Sequence, residues 1–438
     1  MKRWMLMLAA VTAVAQERPS MPLSLEKAIE IAKAPDGATR VRIAQEAIRQ
    51  AESRQRQALS ALLPNFDASV GYRNFTQNLA AFGITFTAPI LPITIPTLVG
   101  PVDVLDIRAS GTQTVFDMAA IRRWQSTKAA LTAVKADRDT AVTQTSGQVA
   151  KAYTNALRAE AVEEASRANV ALAERIAKLA RSQKEAGTGT GIDVVRADVQ
   201  VATERQHLVA AEEDSRGAKL QLLRAIGLTL DGHVELTDRL KDYQGEIPTE
   251  AAALERAKKQ RPELTAQTAR TRSAQLNYES VRYERLPSVA VTGDYGTTGI
   301  TEGPVIPTHT FGASLRIPIF DGGRRDARRA EAFSGLRQEQ IRQHDTDQQV
   351  ELEVRLAVDA LRSARMQATV ANEALGLSQK ELEQAERRFE AGVASSVEVT
   401  DAQTRVARAR ETHANALARL GSTRVDLDVA VGDAPSLQ

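Results

Sequence analysis

Two acids three positions apart, Glu398 and Asp401, follow a glycine turn in the stretch Glu390-Ala391-Gly392-Val393-Ala394-Ser395-Ser396-Val397-Glu398-Val399-Thr400-Asp401. Acids in a first helical turn complement the positive end of the helix dipole. Ser395-Ser396-Val397-Glu398 also has the spacing of a capping box. An earlier stretch, Glu185-Ala186-Gly187-Thr188-Gly189-Thr190-Gly191-Ile192-Asp193-Val194-Val195-Arg196, repeats the design, with Asp193 three positions after Thr190. These two turns are the features around which the chain is organised.

Other chemistry is poorly served. Gly187-Thr188-Gly189-Thr190-Gly191 superficially resembles a phosphate loop, but no Gly-Lys-Ser/Thr follows and no strand precedes it, so a hairpin turn explains it better. The histidines at 207, 233, 309, 344 and 413 show no metal-ligand spacing, and His413 falls on the apolar stripe of its helix. No nucleophile is paired with a base, and there is no cysteine for a disulfide or a thiol-linked anchor. The sequence therefore predicts no enzyme, no metal and no cofactor.

Residues 1–15 read as a signal peptide: Lys2 and Arg3, an apolar run from Trp4 to Val14, and Ala13-Val14-Ala15 as the cleavage pattern. Without Lys2 and Arg3, the 57 basic and 55 acidic residues become 55 against 55. A neutral chain offers no footprint for nucleic acid. Aromatics are only 4% of the chain and much of the apolar fraction is alanine, which favours closely approaching helices over a wide aromatic core.

The elements that must position the turns come in two matching sets. A helix at 24–62 ends in Leu63-Pro64, and one at 251–285 ends in Leu286-Pro287. After each, apolar and polar residues alternate as in strands: Phe66, Ala68, Val70 and Tyr72 in the first set, Val289, Val291 and Tyr295 in the second. Second strands end near Phe116-Asp117 and Phe320-Asp321. Long helices at 118–186 and 325–391 lead to the glycine turns, and return helices at 192–226 and 397–431 end at Gly227 and Gly432. Asp117 to Gly187 is 70 positions and Asp321 to Gly392 is 71, while Gly187 to Gly227 and Gly392 to Gly432 are both 40. This agreement marks a duplication with a period near 205. In the second copy the two shorter helices total 70 residues against 67 in the long one, so they can stack end to end beside it. Val350, Val354, Ala357, Leu361, Ala364, Ala368, Ala371, Leu375, Ser378, Leu382, Ala385 and Phe389 step alternately by four and three, a coiled-coil seam.

No later apolar run is long enough to cross a bilayer as a helix, so membrane crossing would rest on the strands. In lipid, strands must close into a barrel, and four cannot do so alone. Several chains are therefore expected to contribute to one barrel.

The ordered set of helix, Leu-Pro, strand pair, Phe-Asp, long helix, glycine turn and return helix, given twice, resembles the outer membrane efflux protein family of TolC-like channel-tunnels. The resemblance covers about residues 22–432. It implies a mainly α fold with membrane β: an internally duplicated α-helical barrel of long antiparallel coiled-coil hairpins, plus four β-strands per chain that contribute to a trimeric twelve-stranded β-barrel. The strands would be 66–75, 107–116, 289–297 and 309–319. The organisation would be a first repeat at 22–227, an equatorial linker at 228–250, a second repeat at 251–432 and a tail at 433–438.

The resemblance also implies function and partners. It describes a homotrimer in outer-membrane lipid, with a long periplasmic extension gated at the helical tip. The trimer would be a passive duct for a tripartite efflux or type I secretion system, served by a periplasmic adaptor protein and an inner-membrane pump. In the family the second turn resembles an acidic ring at the entrance, which points to Glu398 and Asp401; a threefold axis would gather six carboxylates there, favouring cations. An aspartate at the place of Asp193 can pair with a base in the other turn of relatives. Here Ala394 stands where that base is expected, which leaves Arg196, Arg181 or Lys184 as substitutes. Gly187 and Gly392 close the tip turns, the natural surface for an adaptor. Tyr72, Phe116, Tyr295, Phe311 and Phe320 are candidates for aromatic girdles at the membrane interfaces, with ordinary strand burial as the competing use. Residues 76–106, rich in proline and including Phe82 and Phe86, are read as an outer loop. A different class of function, an exported coiled-coil scaffold without a channel, would have no use for alternating strands.

Overall fold

The computed structural model describes residues 21–83, 97–243, 245–301 and 303–435. The expected signal peptide and Phe86 lie outside them. In chain order the elements are β1 (Met21–Leu23), α1 (Leu25–Lys33), α2 (Thr39–Ser60), β2 (Asn65–Asn78), β3 (Leu98–Phe116), α3 (Met118–Glu185), α4 (Gly191–Ile226), β4 (Val234–Leu236), α5 (Glu250–Gln260), α6 (Pro262–Tyr283), β5 (Ser288–Ile300), β6 (Ile306–Arg316), α7 (Arg324–Glu390) and α8 (Ser396–Val431). The 68 residues of α3 and the 67 of α7 each make a rod of about 100 Å. No helix among the described residues is long and apolar enough to cross a membrane.

Two expected helices are each broken in two. The run 24–62 is interrupted after Lys33 by Ala34-Pro35-Asp36-Gly37, where Gly37 N–H bonds back to Ala34 O at 2.9 Å and Ala38 N–H to Ala32 O at 3.1 Å. Pro35 disfavours the helical conformation of Ala34 before it. The run 251–285 breaks at Arg261, which is extended and hands over to Pro262 at the first position of α6. Each run read as one helix up to its Leu-Pro end; local proline chemistry divides it.

The chain forms two compact units. One comprises the described residues within Met1–Gln45, Asp137–Glu263 and Asp347–Gln438. Its larger core joins α1, the start of α2, the 149–159 stretch of α3 and the end of α4 to β1 and β4. β1 and β4 pair in parallel, Met21 opposite Val234 and Leu23 opposite Leu236, so the stretch expected as a linker contributes a strand to this core. Tyr153 is fully buried, and its hydroxyl lies 2.7 Å from Asp238 Oδ2 and 2.9 Å from the Leu23 carbonyl as donor. Burial pushes its ionisation far above the ordinary phenol range, so it stays a neutral donor. The seam predicted on α7 is largely buried here: Val350, Val354, Ala357, Leu361, Ala364, Ala368, Ala371, Leu382, Ala385 and Phe389.

The other unit, Glu46–Ala136 and Leu264–Thr346, holds an antiparallel sheet in the order β2-β3-β5-β6. β2 and β3 are longer than expected, and β3 begins at Leu98, inside the stretch read as a loop. β6 stops at Arg316, before Ile317 and Ile319, because Pro318 has no N–H to continue a ladder.

Register sorts the sheet into two unlike faces. Phe66 pairs with Gly111, Ala68 with Ala109, Val70 with Ile107 and Tyr72 with Leu105; Gly111 pairs with Gly293, Ala109 with Tyr295, Gly293 with Phe311 and Val291 with Ala313. Directly paired residues share a face, so these build one apolar face. The alternate residues build the other, which carries Asp67, Ser69, Arg73, Asp106, Arg108, Thr112, Thr292, Asp294, Thr308, Thr310 and Arg316. On it Arg108 donates to Asp294 and, at 3.1 Å, to Thr308 Oγ1. The apolar face is uncovered: Phe66 is 82% and Phe311 75% exposed.

Candidate functional site

The turn end of the helices is built from two similar hairpin closures. Gly187 and Gly392 take left-handed conformations (φ 75° and 72°) that favour glycine. At the first, the N–H groups of Thr188 and Gly189 both bond to Gln183 O at 2.9 Å; at the second, those of Val393 and Ala394 bond to Arg388 O at 3.0 and 3.2 Å. Thr190 and Ser395 follow as extended N-caps. Beneath them lies a small core in which Ile176, Ala177 and Ala180 of α3 meet Ala197 of α4, Leu382, Ala385 and Phe389 of α7, and Val399, Ala402 and Val406 of α8.

Asp193 joins the two hairpins of one chain. One carboxylate oxygen accepts from the N–H of Thr190 at 3.2 Å and from its hydroxyl. The other accepts from the hydroxyl of Ser396, a buried residue at the start of α8. Ser396, then Thr190, hold the Asp193 carboxyl below its ordinary range, with the charge of Arg196 a minor contributor. The base missing at Ala394 is thus replaced by a hydroxyl two residues on. The proposed substitutes take other places: Arg181 pairs with Asp198, and Arg196 is exposed and acts on Asp193 only through its charge. Two further links tie the hairpins near the tip, Gln183 Nε2 donating to Phe389 O at 2.9 Å and Arg175 donating to Glu386 at 2.8 Å.

The two acids of the second turn differ. Ser395 makes no side-chain cap, so the capping-box reading fails there; Glu398 instead reaches back across the turn to Arg388 Nε at 3.2 Å. Asp401 is exposed and has no hydrogen bond or ion pair among the described residues. Its charge is the uncompensated one.

The aromatic residues proposed as girdles occupy several levels of the sheet. A bulge after Thr114 sets Phe116 opposite Val289, on the apolar face at the helix-adjacent end; Phe320 lies beyond β6 and is 87% exposed. Phe311 and Tyr295 stand in adjacent rows further along. Tyr72 lies two rows beyond Tyr295, where its hydroxyl donates to Asp103 Oδ1 at 2.6 Å and Asn74 Nδ2 donates to the same oxygen at 2.7 Å. Phe66, outside the expected set, belongs with Phe311 by register.

An uncovered two-faced sheet joined to long duplicated hairpins defines a class of channel-forming proteins, and the chain belongs to the outer membrane efflux protein family, whose model matches residues 33–228 and 253–433. The family is one of channels, not enzymes. The chain is 23% identical over 310 residues to the pyoverdine export outer membrane protein OpmQ of Pseudomonas putida, covering 69% of this chain and 63% of that protein. Its similarity to OpmQ of Pseudomonas aeruginosa is 24% over 220 residues, or 50% and 46% of the two chains. It thus spans less than two thirds of the length of these curated relatives. Among solved structures the fold is similar to the outer-membrane channel OprN (TM-score 0.76, 17% identity, 94% of this chain and 90% of that one). It is likewise similar to Campylobacter jejuni CmeC (0.78, 17%, 93% and 85%) and to VceC of Vibrio cholerae (0.74, 18%, 94% and 97%).

Proposed function

We propose that this chain is exported by its N-terminal signal and assembles as a homotrimer into a passive outer-membrane export duct, gated at the turn end and supplied by a periplasmic adaptor and an inner-membrane pump. The observation that carries this reading is the sheet. Its apolar face is uncovered, its other face is polar and charged, and its outer strands β2 and β6 have no further partner among the described residues. An apolar outside and a polar inside are what lipid and a wet lumen require. Free strand edges in lipid are costly, so β6 of one copy pairs with β2 of the next until the barrel closes.

The helices support a contact between copies. Ile192, Val195, Val199 and Val209 of α4 lie on one line of alternating three- and four-residue steps and are 56–64% exposed. Leu352, Leu356, Met366, Val370 and Leu377 of α7 form a second such line, 50–64% exposed, two positions on from the buried seam. Two uncovered seams on one chain suit a head-to-tail ring in which α4 of one copy meets α7 of its neighbour.

At the tip, Asp193 bonded to Ser396 is the resting latch. Asp401, with Glu398 partly neutralised by Arg388, supplies the acidic entrance. Gly187 and Gly392 shape the turns that meet the adaptor, and Tyr72, Phe116, Tyr295, Phe311 and Phe320 serve as interfacial aromatics. Pyoverdine, named for both OpmQ relatives, is the first cargo to assay. Purified protein tested for insertion into phospholipid vesicles decides the reading: a detergent-requiring trimer that inserts supports it, and a water-soluble elongated monomer overturns it.

A further inference from the structure

One row of the apolar face runs Phe66, Gly111, Gly293, Phe311 across all four strands in register. The rings lie down over the glycines. A Cβ on Gly111 would meet the Phe66 ring at 2.9 Å, and one on Gly293 would meet the Phe311 ring at 2.7 Å. Between these two aromatic walls is a cavity of about 360 Å³ that extends along β3 and β5 from Ala109 to Gln113 and from Val291 to Tyr295. The glycines let the two rings lie close against the sheet, and the space between the rings is left open.

We infer that this groove seats one acyl chain of a phospholipid in the barrel wall. The inference rests on the membrane reading above and goes beyond it by assigning a fixed lipid site. The groove is continuous with the apolar face, the face that meets lipid on that reading. Its lining is nearly all carbon, with the Tyr295 hydroxyl the polar group that shares its face. Gln113 Nε2 is already given to Leu62 O at 2.9 Å and Thr114 O at 2.7 Å, while Thr112, Thr292 and Asp294 alternate onto the opposite face. A hydrocarbon chain needs no such partner and gains by filling an apolar slot. The groove sits towards the strand ends that continue into α2, α3, α6 and α7, which places it in the leaflet nearer the helices. That leaflet supplies the occupant.

The test uses the full chain in vesicles of phosphatidylethanolamine and phosphatidylglycerol doped with a phospholipid that carries a diazirine midway along one acyl chain. After photolysis, adducts are mapped by peptide mass spectrometry. They should concentrate on 109–113 and 291–295, and Gly111→Leu with Gly293→Leu should reduce them about fivefold while adducts near Val70 and Ile107 stay unchanged. If that pair fails to assemble, Phe66→Ala with Phe311→Ala removes the exposed walls and should give the same loss. Even labelling over the apolar face, or labelling unmoved by either pair, overturns the lipid site but leaves the membrane reading standing. An unlabelled sheet overturns both.

Discussion

Asp193 is where a single proton or hydroxyl has the most leverage. Ser396→Ala removes one donor to a charged acceptor, an interaction of about 2 kcal/mol when dry and nearer 1 kcal/mol at this half-exposed position. The open fraction of reconstituted channels should rise about fivefold, with the trimer intact by native electrophoresis. An unchanged open fraction would remove the latch. The pH dependence has a definite sign. Because the Asp193 carboxyl is held below its ordinary value of 3.8, its contribution is present above that value and is lost as pH falls through the depressed one. Channel closure should therefore be flat between about pH 8 and 5 and weaken only below about pH 4. The Asp193–Ser396 bond is half legible in the sequence. Asp193 stood out by its spacing from Thr190, but its partner lies 203 positions away and read as a helix cap. Nothing local shows which of two adjacent serines turns towards another hairpin. The same holds for Glu398, whose partner Arg388 precedes the turn.

At the scale of elements, burial and pairing explain both the successes and the misses of sequence reading. Periods of two and of alternating four and three found the four strands and the buried α7 seam, because those patterns are set by one-sided burial. The start of β3 is hidden by Gly100 and Pro101, which read as loop residues, and the helix breaks at Pro35 and Pro262 are missed because each run is read as one helix up to its Leu-Pro end. β1 and β4 span three residues each, too few for any period to show. Tyr153 ties this small sheet to α3 through Leu23 and Asp238. Tyr153→Phe should cost roughly 1–2 kcal/mol by leaving those acceptors short of a donor, read as a lower urea midpoint. A midpoint equal to wild type would show that the tie adds nothing. On α4, Val199→Asp with Val209→Asp places charge on the exposed seam and should convert most trimer to monomer on native electrophoresis; intact trimer would show that this seam faces solvent or lumen.

For the whole molecule, duplication supplies two hairpins and two strand pairs per chain, and among the described residues the strand edges of β2 and β6 are unpaired, which the proposed trimer would complete. The net charge is nearly balanced, so selectivity has to come from where charges sit. Of the two acids in the second turn, Asp401 is the one without an ion pair among the described residues. Single-channel recording in a planar bilayer, wild type beside Glu398→Ala/Asp401→Ala, tests this account most directly. The wild type should conduct with a preference for cations, and the variant should conduct with that preference reduced. Folded protein that never conducts would contradict the duct, and a variant indistinguishable from wild type would contradict the acidic entrance.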